Sequence, residues 1–404
     1  MRDLLPPEAH DRAELGREVV RCFELHGYEI VTVPLFEFAD VVERGLTGLP
    51  QNVLRFVEPE SGAIVSLRPD MTPQVARIVA TRLGDAPVPA RLCYLGSVLR
   101  RRRERARRHV QISQAGIELV GQSGPEGDLE VLNVAAATAR AAGLRDFVLD
   151  LGHARIAGAL VEALEPARAR EILDALEVKD DSEVVRRAAQ HGLGVAERRA
   201  LAALPTLHGG AEVWPKARAA LEGTAAAVAL AELQKLWDAA RASELAPNIL
   251  VDLAETRDLA YYTGALFHIY AEGPGRAIGS GGRYDGLLGR FGAPRPAVGF
   301  AFGLDDLAWA LDFANQARSS VPKLLAVGLS QQLAGALRAR GVAVAPAPES
   351  DALNYARAWR YSHLLENRAG VLTLIDVVTG HADALASNED EAVTTLAARL
   401  SPAR

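Results

Sequence analysis

Residues 94–121 read YLGSVLRRRRERARRHVQISQAGIELVG. Two strand-like runs flank a loop in which Arg100 to Arg108 carry seven arginines and one acid, Glu104. Side chains alternate between the faces of a strand. Arg100 therefore points the same way as Tyr94, Gly96 and Val98, and on the return run Gln114, Gly116 and Glu118 share a face. Paired as a hairpin, the two runs bring an arginine, an amide and a carboxylate together above a glycine. Gly116 has no side chain, so a ligand is expected to lie close to the backbone there. A small zwitterion suits such a face, with guanidinium for its carboxylate and Gln and Glu oxygens for its nitrogens. The competing reading of the same residues is a solvated basic hairpin.

Length and composition bound the rest. A chain of 404 residues suggests roughly two or three domains, each with a sizeable core. Charges sum to 45 − 51 = −6, so any anion binding must come from local patches such as the arginine run. The two cysteines, Cys22 and Cys93, lie in apolar segments without CxxC spacing. Neither a disulfide framework nor a metal site is indicated. MRDLLPPEAHDR at the start lacks the apolar run of a signal peptide, and no stretch approaches about 18 uninterrupted apolar residues. A cytoplasmic protein is expected, with no membrane contact and no cofactor.

Helical spacing covers Glu8 to His26, and Gly27 marks a stop. Tyr28 to Val33 is rich in β-formers, and Pro34 suits a strand end. Ala63 to Arg68 reads as a strand. Leu67-Arg68-Pro69-Asp70-Met71-Thr72 turns into a helix from Pro73 to Leu83, with Thr72 placed to cap it. Asp70 and Thr72 need be no more than capping chemistry. A helix over Gly127–Ala142 and a strand over Phe147–Leu151 follow. From Ala154 to about Ala246 the chain turns to Ala, Leu, Glu and Arg with helical periodicity, which marks an insertion. Strands resume at Asn248–Leu253 and over the alternating Tyr261–Ala271. The glycine-rich Ile278–Gly286 matches no phosphate-loop or dinucleotide pattern. It reads as a tight turn, or as a backbone platform beside a ligand with Tyr284 as a contact. Val298–Phe302 is a strand, and Gly303-Leu304-Asp305-Asp306 opens a helix. Ala314–Pro322 looks like a linker. Beyond it, Lys323–Val327, Val342–Ala345 and Gly370–Asp376 read as strands. Gln331–Arg340 and Asp351–Glu366 read as helices, and the polar tail is expected to fray.

In this order the pieces resemble the catalytic core of histidyl-tRNA synthetase, a class II aminoacyl-tRNA synthetase, from Met1 to about Leu311. RDLLPPEA resembles that family's start, and HGYEIVTVP its motif 1, which builds the class II dimer. LRPDMT resembles its LRPE-x-T segment, and the hairpin aligns with motif 2 without a gap. AETRDLAYYTG and GSGGRYDGL resemble its two histidine signatures, and AVGFAFGLDDL its motif 3. The resemblance implies an α+β fold with an antiparallel sheet flanked by helices. Residues 1–320 would form the synthetase-like domain, with the insertion at about 154–246, and 321–404 a small α/β domain.

Two departures bear on function. Motif 3 of an active synthetase ends in an arginine that lies against ATP; the matching residue here is Asp306. Motif 2 begins Arg-x-Glu, whose glutamate reads adenine; here Arg100-Arg101-Arg102 replaces it. Reversing the sign beside a triphosphate costs several kcal/mol. The histidine-facing positions are kept. The resemblance implies that Asp70 and Gln114 take the α-amino group, that Glu118, Tyr262 and Tyr284 line the imidazole, and that Arg257 lies near the carboxylate, with Thr72 and Arg100 retained and Tyr261 counted among the histidine-binding residues. A kept amino-acid pocket beside a damaged ATP site resembles the regulatory subunits of ATP phosphoribosyltransferase, non-catalytic synthetase paralogues of histidine biosynthesis. Such a subunit pairs with a short-form catalytic phosphoribosyltransferase, is needed for its activity and takes part in inhibition by L-histidine. A homodimer or a larger hetero-oligomer is then expected, and tRNA is not an expected partner. The competing readings are an active histidyl-tRNA synthetase and an RNA-binding module using Arg100–Arg108.

Overall fold

The computed structural model describes residues 3–46, 53–100, 111–243, 245, 249–256, 261–314, 322–348, 350–368, 370–385 and 389–400. Arg257, Arg101 to Arg108 and most of the expected linker lie outside these residues. The chain forms two compact units, Met1–Gln316 and Ala317–Arg404.

The first unit is built on a nine-stranded sheet. Its strands in chain order are β1 (Glu29–Ile30), β5 (Ala90–Leu99), β6 (Gln111–Val120), β7 (Val148–His153), β8 (His208–Gly209), β9 (Ile249–Asp252), β10 (Ala265–Tyr270), β11 (Gly279–Arg283) and β12 (Ala297–Gly303). Across the sheet they run β1-β5-β6-β12-β11-β10-β7-β9-β8. Only β1 with β5 and β7 with β9 pair in parallel. The quoted stretch supplies β5 and β6, ten residues each. They pair antiparallel with Leu92 opposite Glu118, Tyr94 opposite Gly116 and Gly96 opposite Gln114. The alternation read from the sequence therefore places these groups on one face. Cys93, Ala115, Ile117 and Leu119 take the opposite face. They join Leu15, Val19 and Phe23 of helix α1 (Glu8–Leu25) in the main core, together with Val131, Leu132 and Ala135 of a later helix, Pro125–Ala141.

The glycine-rich segment is not a turn. It forms β11, in the middle of the sheet. A Cβ on Gly281 would stand 2.5 Å from Phe300 Cβ and 2.7 Å from Phe267 Cζ, and one on Gly279 would stand 2.9 Å from Phe302 Cδ1. The glycines make room for phenylalanines from the flanking strands, a reason invisible in a local reading that equates glycine with turns. Tyr28 to Val33 yields only the two-residue β1. A smaller sheet, ordered β2-β4-β3, comprises β2 (Phe36–Phe38), β3 (Arg55–Val57) and β4 (Ile64–Leu67). The insertion is helical as expected, with six helices between Ala154 and Arg241.

The second unit is a five-stranded sheet ordered β14-β13-β15-β16-β17. Its strands are β13 (Lys323–Val327), β14 (Ala343–Pro346), β15 (His363–Arg368), β16 (Val371–Asp376) and β17 (Ala382–Ala384). The helix expected over Asp351–Glu366 stops at Ala358. Arg360 then takes a left-handed φ of 54°, and His363–Arg368 enters the sheet. The tail forms a helix, Glu389–Leu400, because Ala392, Val393, Leu396 and Leu400 recur at helical spacing and are buried. Among the described residues no helix is long and apolar enough to cross a membrane.

Candidate functional site

A cavity opens on the face of β6, β11 and β12 away from α1. Asp70, Thr72, Arg100, Gln114, Tyr261, Tyr262 and Tyr284 line it, with Ser280, Gly299, Phe300 and Ala301.

Buried Arg68 holds the Leu67–Thr72 turn in place. Its Nη1 donates to the carbonyls of Val33 (2.7 Å) and Pro34 (3.1 Å), and its Nε to Ser97 O (2.7 Å). A side chain at residue 96 would collide with it, since a Cβ there would stand 2.5 Å from Arg68 Nη2. The turn so pinned projects Asp70, 3% exposed. Asp70 Oδ1 accepts the Met71 amide at 2.9 Å, and Oδ2 accepts the Tyr261 hydroxyl at 2.8 Å. Arg100 Nη2 stands 3.7 Å from Asp70 Oδ1, and its Nε donates to Pro69 O at 2.6 Å.

Thr72 does not cap the helix it begins. Met71 holds the capping position without a side-chain bond, and helix Thr72–Arg82 starts with Thr72 itself. The Thr72 hydroxyl donates instead to Glu118 Oε1 at 2.6 Å. Glu118 Oε1 also accepts from Tyr94 at 3.3 Å, and Oε2 from Tyr284. Glu118 thus lies behind the cavity wall, 1% exposed, under Thr72 and Tyr284. Burial pushes its carboxyl up to about 8; the hydroxyl bonds of Thr72, Tyr284 and Tyr94 pull the other way, and the charge of Asp70 adds to the rise. The hydroxyls of Tyr261 and Tyr284 are raised well above the usual range, mainly by burial. Tyr261 packs edge-on against Tyr262 (5.0 Å between centroids) and Tyr284 (5.5 Å).

The space expected above Gly116 is taken. A Cβ there would meet Phe300 O at 2.4 Å and the Tyr94 hydroxyl at 2.6 Å. Tyr94 lies opposite Gly116 in register, and its ring covers the glycine. The glycine that borders the cavity is Gly299, opposite Glu118. Gly299, Ser280 and Ala301 were missed because their place beside the hairpin depends on strand order. That order is not written in local periodicity.

Gln114 is 9% exposed, and among the described residues its Oε1 has no hydrogen-bond partner. A buried acceptor without a partner, on a residue that lines a cavity, is suited to a ligand N–H. Asp70 beside it adds charge for an ammonium, and Arg100 a guanidinium for a carboxylate. The hydroxyl-lined end near Glu118 suits a polar ring. Among the described residues no group of three or more His, Cys, Asp or Glu side chains is placed to hold a metal.

Asp306 stands on the first turn of the helix Leu304–Phe313. Arg276 donates to both its carboxylate oxygens, Nε to Oδ2 at 2.9 Å and Nη2 to Oδ1 at 2.5 Å. Its neighbour Asp305 stands 3.6 Å from Arg12 Nε.

Residues 1–307 match the family of histidyl-tRNA synthetase. An ATP phosphoribosyltransferase regulatory subunit of Moorella thermoacetica is 40% identical over 310 residues, covering 76% of this chain and 80% of that one. The chain belongs to the histidyl-tRNA synthetase family, on the branch of these regulatory subunits. A Geobacter sulfurreducens protein of the same name is 35% identical over 377 residues, 90% of this chain and 86% of that one, so likeness on this branch reaches into the second unit. A solved structure from Bacillus halodurans, described as an ATP phosphoribosyltransferase regulatory subunit/histidyl-tRNA synthetase, superposes with a TM-score of 0.79 at 28% identity. It covers 91% of this chain and 96% of that one. The class II synthetase-like α+β architecture expected from the motifs is thereby established.

Proposed function

We propose that this chain is a non-catalytic regulatory subunit of ATP phosphoribosyltransferase, the first enzyme of L-histidine biosynthesis. It supports the activity of a short-form catalytic subunit in the cytoplasm and carries feedback inhibition by L-histidine. The observation that carries this reading is one contrast. The cavity keeps groups suited to an amino acid, Asp70, Gln114 and Arg100, with an unpartnered acceptor on Gln114. The position matching the ATP-facing arginine of motif 3 holds Asp306 instead, engaged by Arg276. The names of the Moorella and Geobacter relatives point to the same role. Aminoacylation is proposed absent, because a carboxylate repels the phosphates that activation must bind.

L-Histidine would place its ammonium between Asp70 Oδ1 and Gln114 Oε1, its carboxylate toward Arg100, and its ring against Tyr262 and Tyr284. Arg257 is proposed, on the resemblance alone, to add to the carboxylate side. Histidine regulates if it binds one quaternary arrangement better than another, since differential affinity shifts the equilibrium. A homodimer is the proposed building block. Phe36, Phe38 and Phe56 leave an apolar surface on one face of the small sheet, 42% to 55% exposed, and apolar surfaces of this kind mark contacts between proteins. Sedimentation of the chain at twice its 43.1 kDa mass checks this state.

Calorimetric titration with L-histidine tests the pocket. Gln114→Ala removes the open acceptor and is expected to weaken binding by roughly 10- to 100-fold, the worth of a hydrogen bond to a charged group. Equal affinities would move the histidine site elsewhere. Histidine-dependent ATP–pyrophosphate exchange by the purified chain would restore the synthetase reading.

A further inference from the structure

We propose that Glu37, Gln74 and Arg77 are positioning residues that couple the outer face of the small sheet to the cavity. L-Histidine affinity then depends on a second copy of the chain seated on that face. The coupling presupposes the histidine pocket and the homodimer proposed above, and names how that pocket is regulated.

Strand β2 points opposite ways along its length. Phe36 and Phe38 are exposed, while Glu37 between them is 6% exposed. Cross-strand register sets Phe36 beside Leu67, and Phe38 and Phe56 beside Val65, so this face of the sheet is apolar at each of these positions. Phe36 and Phe56 meet edge-on, with 6.1 Å between centroids. An uncharged patch of this kind complements a copy of itself, which is what a two-fold contact requires.

The inner side of the same strand is fastened to helix Thr72–Arg82, whose first residue lines the cavity. Arg77 donates to Glu37 Oε2 through Nε at 2.9 Å and through Nη2 at 2.7 Å. Gln74 is buried, and its Nε2 donates to the same oxygen at 3.3 Å and to Pro34 O at 3.0 Å. Arg68 grips the stretch just before β2. Its amide donates to Leu35 O at 3.1 Å, and its side chain to the carbonyls of Val33 and Pro34. Residues 33–37 therefore hold both ends of the turn that presents Asp70 and Thr72 to the cavity. A buried charge pair resists loosening, because parting it strands a charge away from water. Strand β2 and the start of the helix thus shift together. A copy pressing on Phe36 and Phe38 bears on Asp70 and Thr72, whose worth to a ligand depends on placement to within about 0.5 Å. None of Glu37, Gln74 and Arg77 is among the residues that line the cavity, so any effect of theirs on affinity has to pass through the helix.

Calorimetry with L-histidine on the full chain tests this by a double-mutant cycle. Phe38→Glu puts a charge on the outer face and is expected to weaken L-histidine binding at least about fivefold. With Arg77→Met in place, the same change is expected to alter affinity less than about twofold. Arg77→Lys keeps the charge and is expected to restore part of the effect. Gln74→Leu takes the place of Arg77→Met if that variant does not melt cooperatively. A purely structural Arg77 gives two independent effects that multiply, and that result overturns the proposal. So does a Phe38→Glu chain that binds L-histidine like the native one. Sedimentation keeps the readings apart. A native chain that binds L-histidine as a monomer removes the homodimer and this coupling while the pocket stands. A native chain that does not bind L-histidine removes the pocket and the coupling with it.

Discussion

Gln114 and Glu118 are four residues apart on one strand face, yet the structure gives them different work. Gln114 lines the cavity and carries a buried acceptor that has no hydrogen-bond partner among the described residues. Glu118 has both oxygens engaged by hydroxyls and lies behind the wall. Its burial has a consequence for stability. The folded carboxyl holds its proton up to about 8, against an ordinary value near 4.5. Between those values the folded state carries a proton that the unfolded chain has released, so stability falls as pH rises through that window. Glu118→Gln removes this dependence. The native chain is expected to lose stability relative to Glu118→Gln between pH 5 and pH 8, by on the order of 1 kcal/mol per pH unit. Urea denaturation at several pH values reads it, and parallel curves for the two proteins would contradict it. The shared face of Arg100, Gln114 and Glu118 was legible because strand alternation is a local rule. The cover over Gly116 was not, because the covering ring, Tyr94, is set by cross-strand register.

At the scale of elements, the strand Gly279–Arg283 is the clearest gap between sequence and structure. Its composition says turn, while its neighbours Phe267, Phe300 and Phe302 require a strand without side chains. The next strand repeats the device at the cavity. A Cβ on Gly299 would stand 1.9 Å from Glu118 Oε2 and 2.5 Å from Ile117 O. Gly299→Ala must push Glu118 off its hydroxyl partners, and a destabilisation of about 1–3 kcal/mol is expected for such overpacking. An unchanged urea midpoint would mean that β6 and β12 are looser than described. Arg283, in the same strand as Gly279 and Gly281, has a structural role. It donates to Asp128, Asp285 and the carbonyls of Gln122 and Gly124, tying β11 to the start of helix Pro125–Ala141. Helices were read well where apolar spacing was long, as in Glu8–Leu25. Helix Ala352–Ala358 was overrun because nothing in its sequence marks the left-handed turn at Arg360.

At the scale of the molecule, the order of motifs carried more than any one of them. Seven candidate residues from four separate motifs line one cavity: Asp70 and Thr72; Arg100 and Gln114; Tyr261 and Tyr262; and Tyr284. Local patterns left their fit to one another unwritten, and the family resemblance supplied it. On the proposed reading, a chain that keeps such a pocket, and sets Asp306 where an activating enzyme needs a cation, senses an amino acid and does not activate it. The account therefore predicts a role that appears only with a partner. The most direct measurement is the initial rate of ATP phosphoribosyltransferase by a purified short-form catalytic subunit from the same cell. It is taken alone, with this chain, and with this chain plus L-histidine. The expected result is a large gain in rate on adding the chain, suppressed by L-histidine. A catalytic subunit equally active without the chain, or a gain that L-histidine leaves untouched, would contradict the account.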